Sequence, residues 1–112
     1  RRLFVFGEVH APGSYRLAPE DGILDAINRA GGLEKDPDLG RSFIVRQRPE
    51  AEPEVIHVDL GARVTRGDLS QEVALQDGDI LFIPRHRDRL QARDVLDYLF
   101  GLDLIRRVFR KD

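Results

Sequence analysis

Leu75-Gln76-Asp77-Gly78-Asp79-Ile80-Leu81-Phe82-Ile83-Pro84 is the stretch whose reading decides the fold. Asp77-Gly78 has the residue types of a tight turn. Ile80 to Ile83 is apolar at every position, without the alternation of a half-exposed strand. A strand of that composition belongs in the middle of a sheet, covered on both faces. Pro84 ends it, because proline has no N–H to give to a ladder. The rest of the chain must be arranged around this strand.

Working outward to the N-terminal side, Leu3 to Val9 reads as a strand rich in aromatic and β-branched residues. Ala11-Pro12-Gly13 supplies a turn in which glycine accepts the positive φ of a type II geometry. Ser14 to Leu17 returns as a short strand, Tyr15 and Leu17 on one face. Ile23, Leu24, Ile27 and Ala30 then recur at a helical period. Asp21 or Gly22 serves as N-cap, Gly31-Gly32 is the left-handed stop, and Leu33 is placed for its hydrophobic contact. Ser42 to Arg48 and Glu54 to Leu60 are two more strands, joined by the polar loop Pro49-Glu50-Ala51-Glu52-Pro53. Gly61 to Gly67 reads as a helical turn and Leu69 to Leu75 as irregular, with room for a short edge strand at Val73 to Leu75. Hairpin, helix, hairpin, irregular crossover and strand describe a mixed sheet wrapped over one helix with the last strand in the middle. This is a β-grasp, in the α+β class.

Residues 1–85 form that unit, and 86–112 form a C-terminal amphipathic helix. Arg87 to Lys111 would be about 25 residues long, roughly 37 Å at 1.5 Å per residue. Val95, Tyr98, Leu102, Ile105 and Phe109 recur at the 3-4-3-4 spacing of a helix-packing seam. Leu96, Phe100 and Leu104 form a second stripe. A helix on one surface needs only one stripe, so two predict two apolar neighbours, such as adjacent subunits or a subunit and lipid. The competing reading folds the helix back over its own sheet.

Composition excludes several functions. The net charge of −2 leaves no footprint for nucleic acid. Without cysteine there is no disulfide, thiolate metal site or cysteine nucleophile. No apolar run approaches the ~18–20 residues of a plain membrane-spanning helix. The chain lacks methionine and starts close to an apolar run, so it reads as an excerpt of a longer protein. His10, His57 and His86 have none of the spacings of a metal pair, and no nucleophile elbow or phosphate-binding loop is present. Asp77 with Asp79, and Glu50 with Glu52, read as solvated faces, unlike the desolvated carboxylate that acid–base catalysis requires. The expectation is a protein with no catalytic residue, metal or cofactor.

Four segments together resemble the soluble ligand-binding β-grasp modules of bacterial outer-membrane polysaccharide export proteins. Gly7-Glu8-Val9-His10-Ala11-Pro12-Gly13-Ser14-Tyr15 is similar to their G-E-V-x-x-P-G-x-Y hairpin, and Leu24-Asp25-Ala26-Ile27-Asn28-Arg29-Ala30-Gly31-Gly32-Leu33 to their L-D-A-I-x-x-A-G-G-L helix. Val58-Asp59-Leu60 with Arg66-Gly67-Asp68, and the closing Leu75 to Pro84 segment, complete the series. Gly22 departs from the threonine that often caps that helix. The resemblance implies a periplasmic module, at the outer membrane of a Gram-negative bacterium, of a homo-oligomeric ring that passes polysaccharide. It also implies an inner-membrane polysaccharide co-polymerase as a partner, and outer-membrane contact through the two-striped tail. The second functional reading is a module that binds a soluble glycan or cell-wall fragment without building a pore. A third, an accessory domain of a redox enzyme, has no cofactor motif behind it. For carbohydrate contact, Arg16, Arg46 and Arg48 on outward strand faces, with Tyr15, are the candidates. For assembly or membrane contact they are Val95, Leu96, Tyr98, Phe100, Leu102, Leu104, Ile105 and Phe109.

Overall fold

The computed structural model describes residues 1–62, 73–86 and 92–100, with side chains as far as 96 in the last of these. Five strands, Arg2–Gly7 (β1), Gly13–Arg16 (β2), Ser42–Arg46 (β3), Glu54–Val58 (β4) and Ile80–Ile83 (β5), form one mixed sheet. Its order is β2-β1-β5-β3-β4. β5 is central as its composition requires, parallel to β1 and antiparallel to β3. The helix Ile23–Arg29 (α1) crosses one face, and the helix Ala92–Phe100 (α2) follows the sheet in sequence. The class is α+β, of β-grasp type.

Strand alternation divides the side chains between two cores. Leu3, Val5, Ile44, Leu81 and Ile83 meet Ile23, Ala26 and Ile27 of α1 and its C-cap Ala30. Fully burying each such large aliphatic side chain is worth about 1.5–3 kcal/mol. The residues between them in sequence, Phe43, Val45 and Ile80, face the other way with Phe4, Phe6 and Phe82 alongside. The Phe43 and Phe82 rings stack at 5.4 Å. Val95 of α2 closes this second core at 4% exposure, with Ala92 and Leu96 beside it. The apolar run in β5 therefore has two physical partners, α1 on one face and the start of α2 on the other.

α1 ends as its two glycines predict. Gly31 adopts φ +86°, and the Gly32 and Gly31 amides donate to the Ile27 and Asn28 carbonyls at 2.9 and 3.0 Å, the Schellman pattern. At the other end the Gly22 amide donates to the Asp25 carboxylate at 2.7 Å. Two expectations about the first hairpin are corrected. β1 stops at Gly7, whose φ of +98° and position against β5 leave no room for a side chain: a Cβ there would lie 2.1 Å from the Ile83 carbonyl oxygen. Gly13 enters β2 at φ 157°, away from the roughly +80° of a type II turn. The loop is instead drawn onto the end of α1, where the His10 and Ala11 amides donate to Gly32 and Ala30 carbonyls at 3.0 and 2.8 Å.

Residues 73–76 form no strand, because their main-chain groups bond elsewhere. The Ala74 carbonyl accepts from Arg46 and the Gln76 amide donates to Asp79, both at 2.9 Å. β3 ends at Arg46, two residues earlier than expected. Residues 60–62 are helical, and the rest of the expected turn to Gly67 lies outside the described residues.

Candidate functional site

The matched motifs converge at one corner of the sheet. Glu8 follows β1, the Gly31-Gly32 stop leads into Glu34, Lys35 and Asp36, and Arg85 follows Pro84. Glu34 N–H donates to the Glu8 carbonyl at 3.0 Å and His86 N–H to the Asp36 carbonyl at 2.8 Å, so backbone bonds tie the three segments together. Between them lies a cleft of about 430 Å³ lined by Glu8, Glu34, Lys35, Asp36 and Arg85. Glu8 is the inner wall. One of its oxygens accepts from Arg85 Nε at 3.3 Å and the other from the Asp36 amide at 3.2 Å. His10 Nδ1 meets Glu34 Oε2 at 3.1 Å on the rim. Lys35 is exposed and has no ionic partner among the described residues.

All five residues that line this cleft are charged, with both signs present, and none is aromatic. Its chemistry is that of ion pairing and hydrogen bonding. Lys35 offers an ammonium group to an acidic ligand, and Glu34 offers a carboxylate beside it. Among the described residues, no group of three or more histidine and carboxylate side chains could hold a metal ion. The sequence reading missed this corner. The signal was present in the way Gly7-Glu8, Gly31-Gly32 and the residues after Ile83 all punctuate element ends that a β-grasp brings together.

The four arginine and tyrosine candidates are not gathered into one site. Tyr15 lies on the α1 side of β2, packs against the core and donates its hydroxyl to the Ala11 carbonyl. Arg16, its neighbour, points to the opposite face, is exposed and makes no ion pair among the described residues. Arg48 pairs with Glu54 at 2.8 Å. That hydrogen bond, ahead of the opposing effect of burial, holds the Glu54 carboxyl below its ordinary range. Three strand spacings, about 14 Å, separate β2 from β3.

Arg46 is a correction. It faces the α1 side, its side chain 16% exposed, and forms a two-pronged bond with Asp79. Nε donates to Oδ1 at 3.0 Å and Nη2 to Oδ2 at 2.9 Å. Asp79, read from sequence as solvated, is 1% exposed. The reason is geometric: alternation along β3 sends Ile44 and Arg46 to the same face, and the turn before β5 folds its carboxylate under that face. The hydrogen bonds that Arg46 donates to Asp79 are the main cause that raises its pKa above the ordinary value. This pair joins β3 to the turn that starts β5, so both members serve the fold.

Of the tail candidates, Val95 and Leu96 pack on the sheet of their own domain. The side chains of Tyr98 and Phe100, and Leu102, Leu104, Ile105 and Phe109 altogether, lie outside the described residues. Among the described residues no helix is long and apolar enough to cross a membrane. The family model of the SLBB domain matches residues 1–83, which takes in β1 to β5, α1 and, of the charged corner, Glu8, Glu34, Lys35 and Asp36. By that match, with the central β5, the Schellman stop and the crowded Gly7 that its motifs produce, the chain belongs to the SLBB domain family.

Proposed function

We propose that this domain is a non-catalytic periplasmic module of a bacterial capsule or exopolysaccharide export protein, contributing lateral subunit contacts to a ring that supports the export conduit. The SLBB family is one of non-catalytic binding domains associated with polysaccharide export. The observation that carries the assembly reading is that both faces of the sheet are already covered, by α1 and by the start of α2. Contacts with neighbours then fall to the sheet's lateral ends and the charged corner. A closed ring needs two different patches that meet head to tail, and a thin sandwich supplies them at its two ends. Deleting residues 1–86 from the exporter in the producing bacterium tests this. The expected result is continued polymer synthesis with polymer held in the periplasm and no assembled exporter recovered. Undiminished export and intact assembly would contradict it.

The cleft at Glu8, Glu34, Lys35, Asp36 and Arg85 favours a second reading, a module that binds a soluble acidic glycan or cell-wall fragment. Titration with acidic oligosaccharides, followed by amide NMR shifts, would place changes at Lys35 and Arg85 on that reading. On the assembly reading alone, those signals stay still.

A further inference from the structure

The first hairpin sets two arginines directly opposite each other. Arg2 of β1 and Arg16 of β2 are register partners. In the adjoining pair, Leu17 N–H donates to the Arg1 carbonyl at 2.7 Å and the Arg1 amino group donates back to the Leu17 carbonyl at 3.2 Å. Bonded and non-bonded pairs alternate along an antiparallel ladder, and the non-bonded ones bring Cα atoms to about 4.5 Å and side chains closest together. Arg2 and Arg16 form such a close pair. Leu3 and Tyr15 pack on the α1 side, so alternation sends Arg2, Phe4, Ser14 and Arg16 to the other face. Like charges facing each other across two strands are destabilising.

Neither guanidinium is in an ion pair among the described residues. Both side chains are exposed; Arg2 Nη1 donates to Ser14 Oγ at 3.3 Å, and the Arg16 side chain has no hydrogen-bond partner among those residues. The carboxylates nearby are engaged elsewhere. Asp77 accepts the Arg2 main-chain N–H at 2.7 Å, and Asp21 lies 3.7 Å from Arg29. Arg1 is committed too, its guanidinium donating to the Leu75, Ala18, Pro19 and Asp21 carbonyls. The backbone beneath the pair is held from both sides. The Arg2 carbonyl accepts from Gly78 N–H at 2.8 Å, and the Arg16 carbonyl from Arg29 Nη1 at 2.7 Å. In the next row Phe4, the register partner of Ser14, adds a half-buried ring.

We infer that Arg2 and Arg16 together bind the carboxylate of an acidic sugar, one guanidinium to each oxygen, with the Ser14 hydroxyl as a further polar partner. Phe4 offers apolar surface to the ring carbons, the usual companion of a few placed polar groups. The planar guanidinium fork matches carboxylate geometry, and bonds between ionised partners are the strong ones. An anion between two opposed cations also replaces their repulsion by attraction. Arg2 lies six residues along the chain from Glu8, about 20 Å of extended strand, so this site is separate from the Glu8–Arg85 cleft. It shares with the ligand-binding reading only the acidity of the ligand, and the two stand or fall separately.

The test is an NMR titration of the 112-residue chain at low salt, read at backbone amides and arginine Nε–H groups. The probes are trigalacturonate, its methyl ester and inorganic phosphate. Trigalacturonate is expected to move the signals of Arg2, Ser14 and Arg16 along one saturable curve. The ester, which lacks the charge, should leave them still, and phosphate should act more weakly. Arg2→Gln and Arg16→Gln should each weaken trigalacturonate binding about tenfold or more, the worth of a hydrogen bond to a charged group. Both side chains are exposed, and the amide spectrum checks that each variant is folded. Movement at Lys35 and Arg85 instead would place the ligand in the cleft, overturning this site while supporting that reading. Undiminished binding by both variants, or an ester as effective as the acid, overturns the arginine–carboxylate pairing. Phosphate as effective as the trisaccharide overturns the assignment to a sugar. If no signal moves at millimolar trigalacturonate, the site is refuted.

Discussion

Replacing Arg46 by methionine should strongly destabilise this domain. Asp79 is 1% exposed and accepts three hydrogen bonds, from Arg46 Nε at 3.0 Å and from Arg46 Nη2 and the Gln76 amide at 2.9 Å each. Arg46→Met removes two of these and, among the described residues, the cation paired with the carboxylate. It also orphans the Ala74 carbonyl, which accepts from the same nitrogen. Breaking a buried ion pair from one side costs about 3–5 kcal/mol. The Arg46 side chain keeps 16% of its exposure, so water partly screens the pair and the lower end, about 3 kcal/mol, is expected. For a domain of this size that lowers Tm by about 12 °C or more. Asp79→Asn keeps the shape but turns an NH₂ toward the guanidinium or the Gln76 amide, at a cost of about 2 kcal/mol. The double variant Arg46→Met, Asp79→Leu removes both charges together and should be clearly less destabilised than the sum of the single changes. Urea unfolding at neutral pH, followed by circular dichroism, measures all three. An Arg46→Met domain within about 0.5 kcal/mol of wild type, or strict additivity in the double variant, would refute the reasoning.

Gly7→Ala should cost about 3 kcal/mol or more, because φ is +98° and the added carbon would meet the Ile83 carbonyl at 2.1 Å; a thermal melt indistinguishable from wild type would contradict the β1–β5 junction. Val95→Ala removes two methyl carbons from the second core and should cost about 1–2 kcal/mol, with dye binding to the exposed Phe43 and Phe82 face as a second readout. A null effect there would mean that α2 does not cover the sheet. The Glu54 carboxyl is held below its ordinary range chiefly by Arg48. A depressed folded-state pKa gives stability that is present above the unfolded-state pKa and is lost as pH falls through the folded one. Arg48→Gln should therefore move the Glu54 midpoint upward in a carbon-detected NMR titration and narrow the acid-dependent stability loss. An unmoved midpoint would show that the pair does not persist in solution.

The fold was legible because its punctuation is local. Ile80 to Ile83 announces a doubly covered strand, and Gly31-Gly32 announces a Schellman stop, without reference to anything distant. What was not legible depends on pairing. Asp79 in an Asp-Gly-Asp turn looks solvated until β3 is known to lie beside β5 and to send Arg46 to the α1 side. The end of β1 at Gly7 is likewise set by the closeness of β5, which no local propensity encodes. The charged corner eluded the sequence reading for the same reason. Glu8, Lys35 and Arg85 lie far apart in the chain, and each is an unremarkable surface charge by itself. Tyr15 and Arg16 could have been separated from sequence, since adjacent strand residues must face opposite ways. Of the tail's two stripes, Val95 from one and Leu96 from the other both pack on the sheet's own second face.

The most direct test of the central claim is the molar mass of this chain by light scattering, from dilute to concentrated solution. An assembly module whose free surfaces are its two lateral ends predicts mass that rises with concentration and falls again when salt is added. A mass equal to one chain, 12.8 kDa, at every concentration and salt level would contradict self-assembly through this domain and favour the ligand-binding reading of the Glu8–Arg85 cleft.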